Sequence, residues 1–160
     1  MKNVLLVIMT YTFLMCTTIR NEITIEGDIY IKLIDVHSVY GLPLDKMNEF
    51  KNSVYKQAND SLSDSEKRLK RHFIFLIENE MFDKPHFKLK MDEKIINVYT
   101  SKLEFLKLNS VLDNLDRDVE KITVELKGIK KSEGFFGEPL YFAKEIISVK
   151  KTSGITEWEK

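Results

Sequence analysis

The segment HFKLKMDEKIINVYT, residues 86–100, decides the fold of this chain because its apolar residues alternate with polar ones in two successive runs. An alternation with a period of two is typical of a strand that buries one face. Only a loop with an even number of residues, such as Asp92 to Ile95, places both apolar runs on the same face. The predicted hairpin therefore buries Phe87, Leu89, Met91, Ile96 and Val98. Its outer face carries Lys88, Lys90, Asn97 and Tyr99.

A strand and a helix are predicted upstream of this hairpin. Isoleucines alternate with other residues from Ile23 to Ile31, which indicates a first strand, and Gly27 interrupts it as a bulge or bend. A helix follows, with Asp45 as its predicted N-cap. Its apolar face carries Met47, Phe50, Val54 and Ala58.

A second helix is predicted to begin at a capping box formed by Ser63 and Glu66. Because residues 73–77 are apolar on every side, this helix is expected to be covered by both the sheet and the first helix. The two helices, residues 45–59 and 64–81, are expected to pack as an antiparallel pair. The side chains predicted to be buried are Phe50, Val54, Leu69, Phe73 and Leu76.

Downstream of the hairpin, the pattern predicts a short helix and two more strands. Ser101 and Glu104 have capping-box spacing, and the helix they open runs through Leu103 and Leu106. The final strands are centred on Ile122, Val124 and Leu126 and on residues 140–149. The loop that joins them, residues 132–138, places Phe135 and Phe136 side by side between two glycines.

This order of elements resembles the OB-fold, a five-stranded Greek-key barrel with a helix between its third and fourth strands. The resemblance covers about residues 22–151 and implies a five-stranded OB-like β-barrel within an α+β domain over residues 19–160. The predicted two-helix insertion after the first strand (residues 45–81) departs from the pattern of that fold. The resemblance also implies a binding surface on the second and third strands and their flanking loops. The candidate binding surface is Lys88, Lys90, Asn97, Tyr99, Phe135 and Phe136. Two alternatives stay open: a solvated strand face, and phenylalanines that fold back to plug the barrel end.

The N-terminus has the layout of a secretory signal, predicted over residues 1–18: a basic start, an apolar run from Val4 to Met15, and the only cysteine, Cys16. The run is too short for a membrane-spanning helix, which needs roughly 20 apolar residues. It resembles a bacterial lipoprotein signal, which is cleaved before a cysteine that becomes lipidated. Plain secretion, and an unmodified Cys16 within the signal, are the alternatives.

Composition and motifs restrict the function without defining it. A single cysteine allows no internal disulfide, and 25 basic against 25 acidic residues give no general attraction to nucleic acid. His37, His72 and His86 lack metal-ligand spacing, and no cofactor-binding or catalytic motif occurs. We therefore predict no metal, no cofactor and no catalytic residue. Asp35 and His37 share one strand face and are the candidates for an enzyme.

These observations predict an exported, lipid-anchored envelope protein with a non-enzymatic binding or structural role. Its partners would be the membrane, through lipidated Cys16, and an envelope protein or ligand. The expected location is the periplasm or outer membrane, or the medium after plain secretion. The alternatives are an envelope enzyme that uses Asp35 and His37, with Tyr99 as a further candidate, and an OB-type nucleic-acid binder.

Overall fold

The computed structural model describes residues 22–30 and 42–157. Within them lie three α-helices, one 3-10 turn and five strands. In chain order the elements are β1 (Ile23–Tyr30), α1 (Leu44–Lys56), the 3-10 turn Asn59–Ser61, α2 (Asp64–Glu78), β2 (His86–Met91), β3 (Lys94–Thr100), α3 (Lys102–Leu112), β4 (Glu120–Ser132) and β5 (Leu140–Ser153).

The five strands form one mixed sheet that closes into a ring in the order β1-β2-β3-β5-β4. Neighbouring strands are antiparallel except β3 and β5, which pair in parallel over Asn97–Thr100 and Leu140–Ala143. The ring closes because β1 pairs with β2 through its C-terminal half and with β4 along most of its length. The predicted α+β class and the five strands are confirmed, and two helices follow β1.

The β2–β3 hairpin has the predicted face but a tighter turn. Phe87 lies opposite Val98 and Leu89 opposite Ile96, and all four side chains are buried in one cluster inside the ring. Met91 pairs with Lys94, so the turn has two residues. The predicted loop, Asp92 to Ile95, has four; both numbers are even, and both place the apolar residues on one face. Asp92 takes a φ of 54°, a left-handed conformation that Asp adopts more readily than most residues.

Helix α3 packs on the ring with a different face from the one suggested by its leucine spacing. Phe105 and Leu108 contact the ring core, whereas Leu103 and Leu106 are 72% and 53% exposed. The Ser101 hydroxyl caps the helix by accepting from the Glu104 amide at 3.2 Å.

The Glu104 carboxylate joins α3 to β5 instead of completing the capping box. It accepts from the Ile146 amide at 2.6 Å and from Lys107 Nζ at 2.7 Å. Burial alone would raise the pKa of Glu104, but these hydrogen bonds outweigh it and hold the pKa below the ordinary value of 4.5. The ionised carboxylate therefore links the helix to the sheet.

Helices α1 and α2 pack on the outer side of the ring, against β3 and β5, and create a second core. The predicted capping box is present, because Glu66 accepts from the Ser63 amide at 2.7 Å while Ser63 accepts from the Glu66 amide at 3.4 Å. The N-cap of α1 is Pro43, not the predicted Asp45, which lies in the first turn. The buried side chains of this core are Met47, Val54, Phe73, Leu76, Met81, Phe82, Tyr99 and Leu140.

The two helices pack as an antiparallel pair, because residues later in α1 contact residues earlier in α2. Phe50 meets Phe73 edge-on at 5.3 Å, while Lys70 Nζ donates to the Gln57 carbonyl at 2.5 Å. Phe82 adds a third ring, with its centroid 5.5 Å from that of Phe50 and 5.9 Å from that of Phe73. Of the five predicted side chains, Val54, Phe73 and Leu76 are buried, and Phe50 and Leu69 are partly buried.

Truncating Phe73 should therefore damage the second core. Phe73→Ala removes a ring that touches both Phe50 and Phe82, and we expect it to lower the free energy of unfolding by about 3 to 5 kcal/mol. Urea denaturation measures this difference. Tyr55→Ala, at a side chain of α1 that is 50% exposed, is the matched control and should cost less than about 1 kcal/mol. Equal losses in both variants would contradict the assignment of Phe73 to the core.

Candidate binding pocket

Among the described residues, a pocket of about 970 Å³ opens beside β2 and β3, where α2 and the loop between β4 and β5 approach each other. Five of the six residues of the candidate binding surface line this pocket: Lys88, Asn97, Tyr99, Phe135 and Phe136. The structure thus brings together side chains that are up to 48 positions apart, from Lys88 to Phe136. Its apolar side includes Phe87 of the ring core and Phe105 of α3.

Lys90 is the exception among the six. It does not line the pocket, and its Nζ atom lies 2.6 and 2.7 Å from the two carboxylate oxygens of Glu157. The hydrogen bond to Glu157 raises the pKa of Lys90 above the ordinary value of 10.5. Lys90 therefore ties β2 to the segment after β5, away from the pocket.

Part of the outer face of the hairpin is covered, which rules out the alternative of a fully solvated strand face. The Lys88 side chain is only 7% exposed, and Tyr99 is only 5% exposed. Tyr99 belongs to the second core, beneath α1 and α2. Alternation identifies the two faces of a strand, but another part of the chain decides whether the polar face meets water.

Glu138 compensates the buried charge of Lys88. Its carboxylate accepts from Lys88 Nζ at 2.7 Å and, through its other oxygen, from Asn97 Nδ2 at 2.6 Å. A buried lysine is stable in its charged form only with such a partner. Glu138 lies two positions after Phe136 in the same loop, and it is not among the six residues predicted from the sequence.

Two glycines give the β4–β5 loop the shape that delivers Glu138. Gly134 and Gly137 have φ values of 85° and 93°, in the region that side chains disfavour. A Cβ atom on Gly134 would lie 1.7 Å from the Glu138 carbonyl oxygen, so only glycine fits this position. The loop conformation and the position of the carboxylate therefore depend on each other.

The adjacent phenylalanines have different environments. The Phe135 ring lies 5.4 Å from that of Phe75 and 5.5 Å from that of His72, and it packs against the second core. Phe136 also contacts His72, at 5.7 Å, but it is 53% exposed. One ring thus holds the loop on α2, and the other remains accessible at the pocket.

His86 and Tyr99 form a further aromatic pair in the pocket wall. They are cross-strand neighbours on β2 and β3, and their rings stack at 4.8 Å with an angle of 24°. His86 is half-buried and lines the pocket. This stack and the Phe136 ring give the pocket flat, weakly polar surfaces next to the carboxylate of Glu138.

Three residues singled out in the sequence, Cys16, Asp35 and His37, lie outside the described residues. Within residues 22–30 and 42–157, no group of three or more His, Cys, Asp or Glu side chains could hold a metal ion. The helices of these same ranges include none that is long and apolar enough to cross a membrane.

Comparison with known proteins gave no family model, no curated protein and no solved structure that matches this chain. The pocket itself is therefore the basis for an assignment of function.

The pairing of Lys88 with Glu138 can be measured by a double-mutant cycle. Lys88→Met and Glu138→Gln should each lower the free energy of unfolding by about 1 to 3 kcal/mol, because each leaves a largely buried partner poorly compensated. The double variant should lose at least about 1 kcal/mol less than the sum of the two.

The more exposed pair Lys90 and Glu157 is the matched control for this cycle. Its side chains are 33% and 56% exposed, so the coupling in Lys90→Met with Glu157→Gln should stay within about 0.5 kcal/mol. Urea denaturation of the seven proteins, which are the wild type and three variants for each pair, gives both couplings. A coupling at Lys88 and Glu138 no larger than that of the control would contradict the buried pair.

Proposed function

We propose that this protein is an exported, lipid-anchored envelope protein that binds a ligand in the pocket beside β2 and β3 and catalyses no reaction. The observation that carries the proposal is that Tyr99 and Phe136 line the same pocket as the Glu138 carboxylate, which accepts hydrogen bonds from Lys88 and Asn97. A pocket that combines aromatic walls with a few fixed polar groups is typical of a small-molecule site.

The strand arrangement supports an OB-like barrel as the architecture. The ring order β1-β2-β3-β5-β4, the parallel pairing of β3 with β5, and a helix between β3 and β4 are the features expected of that fold. The helical pair after β1 is then an enlarged first loop. This assignment rests on topology, and fold alone does not define a ligand.

The position of the pocket supports a binding role within this architecture. OB-like barrels bind ligands on the face of the second and third strands, between the loop that follows the first strand and the loop before the fifth. Here that face supplies Lys88 and Asn97, the insertion supplies His72, and the last loop supplies Phe136 and Glu138. Three separate parts of the chain therefore build one site.

The sequence before β1 supports the anchor. Cys16 follows a basic start and an apolar run, and it stands seven positions before Ile23. A fatty-acylated cysteine at this position would attach the domain to the membrane through a short connection.

The anchor is tested by Cys16→Ser. In a bacterial host, the wild-type protein should sediment with membranes and incorporate labelled palmitate, because the acyl chains are attached through this cysteine. The variant should lose the label and leave the membrane fraction. Thr18→Ser, two positions along, is the control and should behave as wild type. Incorporation of the label by the Cys16→Ser variant would contradict lipidation. Equal membrane association of the wild-type protein and the Cys16→Ser variant would contradict it as well.

The binding role is tested by a photo-crosslinker at the mouth of the pocket. p-Benzoylphenylalanine at position 136 should give a defined adduct in irradiated cells, detected by mass spectrometry. The same group at Tyr55, which is 50% exposed on α1, should not give this adduct. Identical products at both positions, or no adduct at position 136, would contradict a ligand site at this pocket.

A further inference from the structure

The charges of the described residues that line the pocket cancel, which restricts the ligand that the site would accept. This inference rests on the binding role proposed above. Lys88 and Arg117 contribute two positive charges to the lining, and Asp113 and Glu138 contribute two negative charges. With its two histidines counted as neutral, the described part of the lining is therefore formally neutral and offers no net attraction to a strongly charged ligand.

The polar corner of the pocket offers little net attraction to a charge of either sign. A ligand cation that approached Glu138 would come close to Lys88, whose Nζ atom lies only 2.7 Å from a carboxylate oxygen. A ligand anion that approached Lys88 would meet Glu138 in the same way. A charged ligand would also lose its hydration on entering the pocket, and the compensated pair of charges would not offset that desolvation cost. A neutral ligand avoids this cost.

Hydrogen-bonding capacity in this corner favours a ligand that carries donors. Each oxygen of the Glu138 carboxylate accepts one bond from the protein and has a second lone pair. Asn97 donates through Nδ2 to Glu138, and its amide oxygen is a further acceptor. The Glu138 side chain is 29% exposed, so hydroxyl groups can reach it.

Aromatic rings next to these acceptors fit the apolar face of a saturated ring. Phe136 is 53% exposed, and His86, which lines the same pocket, is half-buried. The negative face of an aromatic ring attracts the weakly positive C–H hydrogens of a sugar. A sugar combines such a C–H face with hydroxyl donors around its edge, and it can carry no charge.

We infer that the pocket binds a neutral glycan, with one sugar stacked on Phe136 and its hydroxyl groups donating to Glu138 and Asn97. The volume of about 970 Å³ has room for more than one sugar ring. The lining of opposite charges selects against acidic and basic sugars, and the aromatic surface selects for a ring with an exposed C–H face.

Three trisaccharides that differ in charge test this inference: triacetylchitotriose, which is neutral; its deacetylated form, which is cationic; and trigalacturonic acid, which is anionic. Maltotriose serves as a second neutral probe. Binding to the full-chain protein is measured by isothermal titration calorimetry in a polyoxyethylene detergent, which has no sugar head group. At least one neutral trisaccharide should bind with a Kd about tenfold lower than either charged one.

The Phe136→Ser variant should weaken that binding about tenfold while leaving the unfolding midpoint unchanged, because this ring is largely exposed. Tyr55→Ser, at an aromatic of similar exposure outside the pocket lining, is the matched control and should bind as wild type.

Binding of a charged trisaccharide as tightly as the neutral ones would overturn the inference, as would neutral binding that Phe136→Ser does not weaken. The failure of every trisaccharide, together with an adduct at position 136, would reject a glycan ligand and leave the binding role in place. The absence of that adduct would reject the binding role itself.

Discussion

Phe87 opposite Val98 and Leu89 opposite Ile96 set the register of the β2–β3 hairpin, and both cores of the protein depend on this register. Side chains alternate across a strand, so the same pairing that directs these four residues into the ring directs Tyr99 outwards. A slip of one residue in the pairing would turn the ring-facing side chains outwards and the outward-facing side chains into the ring. The ring core and the outer core are therefore consequences of one set of cross-strand contacts.

Because Lys88 on the outer face of the hairpin is buried, its charge requires a partner, and Glu138 is that partner. Tyr99 can be buried beneath α1 and α2 at little cost, but its neighbour Lys88 carries a charge out of water on the same side of the sheet. Glu138 compensates that charge from a loop that only glycine at position 134 allows. A feature required by stability thus places a carboxylate in the pocket. The proposed ligand would use acceptors that the fold already holds in position.

The adjacent phenylalanines show how one loop combines a structural and a surface role. Phe135 packs against Phe75 and the second core, whereas Phe136 is half exposed beside His72. The first contact fixes the loop, so the exposed ring is presented without a large loss of conformational freedom on binding. A preorganised aromatic surface next to fixed hydrogen-bond acceptors is what a weakly polar, uncharged ligand requires.

The sequence by itself determined the strands, the hairpin face and the capping box at Ser63, because these depend on periodicity and on contacts between residues a few positions apart. It also predicted, as members of one binding surface, five residues that line the pocket. Only the tertiary structure decided that Lys88 is buried, that Glu138 is its partner 50 positions away, and that α3 packs through Leu108 rather than Leu103. The reason is that burial depends on which distant segment covers a face, and local spacing carries no information about that.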